Sequence, residues 1–110
     1  MASKILVLAA LNAKKWFLEN HLPEIDGYQH PRITIAIIKP QGCQGLCEKI
    51  NNRYKITVNP SQSLRDFIAT VMHELVHVKQ WEEDYKGDAE KQCSELEYKL
   101  TDQAWAKGIF

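Results

Sequence analysis

Apolar residues recur along the segment 64–83 at helical spacing: Leu64, Phe67, Ile68, Val71, Met72, Leu75 and Val78. Rows at i, i+3, i+4 and i+7 make one apolar face on a helix, and that face must be buried against other elements. Ser63 followed by Asp66 supplies a start signal, with the serine as cap and an acid in the first turn. The helix is expected to run to about Glu83 and to be broken by Gly87. The remainder of the chain has to cover it.

Four other segments offer that cover. Residues 3–20 read as an Ala-rich helix, with Leu8, Leu11, Trp16 and Phe17 available for a buried stripe. Its apolar run 5–11 is short for a signal-peptide core and far too short to span a bilayer, so it is expected to open the domain. Residues 32–39 alternate Ile33, Ile35 and Ile37, the period of a strand. Residues 46–59 predict a hairpin, with Leu46, Glu48 and Ile50 alternating on one arm and Tyr54, Ile56 and Val58 on the other. Asn51 and Asn52 form the turn. A last helix is expected over 89–107. Helix, strand, hairpin, long helix and helix together predict an α+β fold, a small antiparallel or mixed sheet of about three strands packed on helices. The 110 residues fit a single domain, 1–110.

Charge and cysteine usage narrow the function classes. Fourteen Lys and Arg balance fourteen Asp and Glu, which leaves no electrostatic footprint for nucleic acid or an anionic membrane. Cys43, Cys47 and Cys93 are odd in number and irregular in spacing, which speaks against a disulfide framework and for reduced thiols in the cytoplasm. Cys43 and Cys47 share a Gly-containing loop, but a structural zinc site wants four ligands with tighter pair spacing, so both are expected to be free.

The chemistry concentrates in His73-Glu74-Leu75-Val76-His77. Histidines four residues apart on a helix emerge on one face, about 5–6 Å apart at Cβ, and can share one zinc ion at ~2.0–2.1 Å from each nitrogen. Glu74 is rotated by about 100° from His73, poorly placed to join the metal but well placed to act as general base on a metal-bound water. Chance produces this pattern in a chain of such composition with a probability of about 1 %, and its position inside the strongest amphipathic helix lowers that further.

A catalytic zinc keeps three protein ligands and one open position. His21 and His30 lie far upstream, whereas the last helix offers Glu90, Glu95 and Glu97. Cys93, Leu96, Leu100 and Ala104 mark the apolar side of that helix, and Glu97 falls within it, while Glu95 groups with Lys91, Lys99 and Asp102. A carboxylate on a buried face is costly unless a cation neutralises it. Glu97 is therefore the preferred third ligand, ahead of Glu95 and then Glu90.

These residues resemble the gluzincin-type zinc metallopeptidases, in which two histidines of His-Glu-x-x-His and a glutamate of the following helix hold zinc. Size and layout are similar to the SprT-like and minigluzincin-like domains of bacteria and their phages. The words His-Glu-Leu-Val-His-Val-Lys-Gln-Trp (73–81) and Glu95-Leu96-Glu97-Tyr98 carry the likeness, which covers about residues 54–100. It implies a zincin-like fold, Zn2+ as cofactor, a polypeptide substrate and an extended peptide aligned on a sheet edge formed by residues 54–59. It also implies a tyrosine among Tyr54, Tyr85 and Tyr98 as oxyanion donor. Where the thermolysin-like members carry an acid four residues after the ligand glutamate, to orient a histidine, this chain has Thr101.

The resulting expectation is a zinc-dependent peptidase with His73, His77 and Glu97 on the metal and Glu74 as base. The alternative is a catalytically silent zinc-binding interaction module, since so small a domain has little wall for a substrate cleft. Some SprT-like relatives are DNA-associated; the balanced charge lends that role no support here.

Overall fold

A computed structural model describes residues 3–110. In chain order the elements are α1 (Lys4–His21), β1 (Arg32–Ile37), β2 (Gly45–Ile50), β3 (Arg53–Val58), α2 (Leu64–Glu83) and α3 (Ala89–Ala106). The fold is α+β, with three helices and a three-stranded mixed sheet. All three helices begin on the residues that chemistry favours. Ser3 caps α1, Ser63 caps α2 by accepting from the Asp66 N–H, and Asp88 caps α3 by accepting from the Lys91 N–H.

The strand order is β1-β3-β2, with β3 parallel to β1 and antiparallel to β2. Residues 54–59 are therefore not a sheet edge. Strand β3 is paired on both sides, because β1 docks along it from Arg32 opposite Arg53 to Ile37 opposite Val58. The free edges belong to β1 and β2. The β2–β3 turn is made by Asn51 and Asn52, with Asn51 at φ 58°, a left-handed conformation that asparagine tolerates.

Register also decides which face each alternation serves. Cross-strand partners share a face, and Gly45, Cys47 and Lys49 oppose Val58, Ile56 and Tyr54. Gly45 and Cys47 therefore turn toward the helices with the buried β3 residues. Leu46 and Ile50 point the other way and stay 42 % and 50 % exposed. Their strand period is real, but it does not mark the core.

Helix α2 is the hub, packed against α1, α3, β2 and β3. Phe67, Ile68, Val71, Met72, Leu75 and Val78 are fully buried, as the periodicity predicts, and Leu64 is partly buried at the end of the row. Helix α1 buries only part of the stripe expected. Leu8 and Leu11 are exposed, while Ala9, Ala10 and Ala13 join Trp16 and Phe17 in the core. A small-residue stripe lets a helix approach closely, and that close approach replaces the leucines. Near its far end α2 is pinned by Glu82, whose carboxylate accepts the Tyr54 hydroxyl at 2.6 Å and the Tyr28 hydroxyl at 2.9 Å. The helix then stops at Asp84, left-handed at φ 53°, ψ 50°, rather than at Gly87. Gly87 serves a different need: a side chain there would collide with the Tyr85 ring.

Candidate metal centre

His73 and His77 sit one turn apart on α2 and face α3, with their ring centroids 5.3 Å apart. From α3, Glu90 reaches both. Its Oε2 lies 3.1 Å from His73 Nε2 and its Oε1 lies 2.7 Å from His77 Nε2. Glu97 also arrives, but at the other nitrogen of His73, with Oε2 3.3 Å from Nδ1. Glu95 is exposed and lines a separate small hollow with Asp88 and Lys91. His21 and His30 are elsewhere, His21 against Trp16 and Phe17 and His30 against the Leu22 carbonyl.

The partners of the two Nδ1 atoms bear on the tautomer a neutral ring adopts. The Gln80 amide nitrogen donates to the Ala89 carbonyl, which can only accept, and to Gln92 Oε1. Its oxygen therefore faces His77 Nδ1, at 2.9 Å, and accepts that N–H. The neutral ring then has its lone pair on Nε2. The Glu97 carboxylate beside His73 Nδ1 favours the same tautomer there. Both Nε2 atoms thus face the carboxylate oxygens of Glu90. A proton on the ring or a metal ion brings imidazole nitrogens and carboxylate oxygens this close, and the donor set fits a metal ion.

Gln80 was missed by sequence reasoning, which gives it no role of its own. A buried glutamine three residues after the second histidine is the signal that was available, since i and i+3 share a helix face. Thr101, where the resemblance implies an orienting acid, donates its hydroxyl to the Glu97 carbonyl of its own helix. Gln80 and Glu97 contact the histidine Nδ1 atoms instead.

Glu74 is 5 % exposed and held between α2 and the start of β2. A Cβ placed on Gly45 would lie 2.5 Å from Thr70 Cγ2 and 2.8 Å from Glu74 Oε2, so β2 comes this close only because residue 45 has no side chain. Burial pushes the Glu74 carboxyl up to about 7, with Glu90 and Glu97 adding to the rise and His77 opposing it. Such a group takes up and releases a proton near neutral pH.

All three cysteines are free. Cys93 is fully buried, and its sulfur and one nitrogen from each of His73 and His77 lie within 4.8 Å of one another. His73, His77 and Cys93 form a group that can hold a metal ion. Burial pushes the Cys93 thiol up to about 12.

Above these residues opens a cleft of ≈ 990 Å³, walled by β2 on one side and α3 on the other. That is ample for a small domain, at the upper end of the roughly 300–1,000 Å³ of ordinary ligand sites. Of the three tyrosines considered as oxyanion donors, Tyr54 gives its hydroxyl to Glu82 and Tyr98 gives its own to Asp66 at 2.6 Å. Tyr85 lines the cleft without such a carboxylate partner among the described residues. No helix among the described residues is long and apolar enough to cross a membrane. Comparison of the chain with known protein families, curated proteins and solved structures returns no match.

Proposed function

We propose that this chain is a zinc-dependent peptidase of the gluzincin kind, acting on polypeptides in the cytoplasm. The observation that carries the proposal is the convergence of two histidine Nε2 atoms on one carboxylate beside the buried Glu74. His73, His77 and Glu90 hold the metal. Glu97, first choice from the sequence, is assigned here to positioning His73 through Nδ1, as Gln80 positions His77. When bound, zinc would supply a Lewis acid for the scissile carbonyl and an acidified water, its pKa lowered toward about 7. Glu74 takes the proton of the attacking water and returns it to the leaving amine.

Strand β2 gives the substrate its track. The Asn59 N–H donates to the Gln44 carbonyl at 2.8 Å, which marks that opposed pair as hydrogen-bonded. Antiparallel pairs alternate, so the N–H and C=O groups of Gly45 and Cys47 point away from β3 along the free edge. Both residues line the cleft. An extended peptide can pair there through its main chain, with little demand on its side chains.

The test uses zinc-loaded protein and an unstructured substrate such as casein. Wild type is expected to cleave, and Glu74→Gln to retain zinc while losing cleavage. Zinc held by wild type without cleavage of casein or of a broad peptide library would overturn peptidase activity in favour of a metal-binding interaction module.

A further inference from the structure

Helix α3 turns three functional side chains toward the histidine pair: Glu90, Cys93 and Glu97, at i, i+3 and i+7. Glu90 and Glu97 already have their nitrogens. Cys93 stands between them, one turn from Glu90 and one from Glu97. A buried cysteine is ordinarily a small apolar filler. The Cys93 thiol instead has both imidazoles within 4.8 Å, and Glu74, Glu90, Glu97 and Gln80 are the polar groups acting on it.

We propose that Cys93 is a sulfur ligand of the resting centre, completing a set of four protein ligands with His73, His77 and Glu90. Zinc accepts thiolate at about 2.3 Å, and four protein ligands are the mark of a closed, structural site rather than an open one. The position needed for hydrolysis is then occupied until the sulfur leaves. On binding the metal the Cys93 thiol would give its proton to solvent, and on leaving it would take one back, with no electron transferred. The proposal rests on the metal site assigned above and makes the chain a latent form of it. It also predicts a preference for borderline and soft cations over magnesium or calcium, which favour oxygen.

Cobalt(II) in place of zinc gives the readout, because a thiolate on cobalt produces a near-ultraviolet charge-transfer absorption. Wild type, Cys93→Ala and Cys47→Ala are each loaded with one equivalent and their spectra compared. The band is expected in wild type and Cys47→Ala and is expected to vanish in Cys93→Ala with cobalt still bound. Cys93→Ser replaces the alanine variant if that one fails to fold. Casein cleavage per bound metal is expected to rise several-fold in the variant that lacks the thiol. Cobalt bound by wild type without the band, or a band that persists in Cys93→Ala, overturns the sulfur ligand. A band that behaves as expected while no variant cleaves overturns peptidase activity and leaves the sulfur ligand standing. Wild type that takes up no cobalt overturns both.

Discussion

Replacing Glu74 by glutamine removes a charge that burial opposes, so in the metal-free protein it is expected to stabilise the fold at neutral pH. The sign follows from linkage. The folded-state pKa is raised from 4.5 to about 7, so between those values the folded chain keeps a proton that the unfolded chain has released. Stability therefore falls as pH rises through this window, and the penalty is complete above about 7. At about 1.36 kcal/mol per pKa unit the full penalty is on the order of 3 kcal/mol, and roughly 2.5 kcal/mol of it develops between about pH 5 and pH 8. Glutamine is nearly isosteric and cannot ionise. The assay is urea unfolding of wild type and Glu74→Gln in excess chelator at both pH values. The variant's advantage is expected to be small at the lower pH and to grow by roughly 2–3 kcal/mol at the higher. An advantage that stays constant with pH, or reverses, would refute the placement of this carboxyl in a poorly solvated site. Saturating zinc should shrink the difference, since a nearby cation favours the charged glutamate.

Other substitutions separate the roles of neighbouring groups. Glu90→Gln is expected to abolish tight zinc binding, whereas Glu97→Gln should weaken it by about 10–100-fold, the usual cost of losing a partner behind a ligand histidine. Competition titration against a chelating dye gives both constants, and the opposite ranking would restore Glu97 as the ligand. Gly45→Ala presses a methyl group onto Thr70 and the Glu74 carboxylate; it is expected to cost about 1–3 kcal/mol in urea unfolding. A neutral result would mean that β2 stands farther from α2 than described.

Much of the architecture was legible because it depends on local signals. The stripe from Phe67 to Val78 and the Ser63 cap place α2 without knowledge of any partner, and Asn51-Asn52 places the hairpin turn. What the sequence could not show depends on partners. The face buried by α1 follows from how closely Ala9, Ala10 and Ala13 let it approach its neighbours, and leucines at 8 and 11 give no hint of that. Strand order is likewise non-local: nothing within residues 54–59 says that β1 will pair beside them and leave β2 on the edge. The two histidines and Glu74 were legible because one helical turn fixes their spacing. Which of Glu90 and Glu97 meets the Nε2 atoms and which meets Nδ1 was not, since phase on α3 puts both on the side facing α2. In the structure Glu90 faces the two Nε2 atoms and is 71 % exposed, whereas Glu97 faces Nδ1 of His73 and is 24 % exposed. Gln80 was hidden for a related reason, as its role rests on the Ala89 carbonyl across the α2–α3 turn.

X-ray absorption at the zinc edge examines the histidine pair itself, whether or not the protein cleaves anything. Two imidazole nitrogens are expected at about 2.0–2.1 Å from the metal, falling to one, with weakened binding, in His77→Ala. A spectrum without imidazole scattering, or one left unchanged by His77→Ala, would show that the cation sits elsewhere and that His73 and His77 do not form a metal centre.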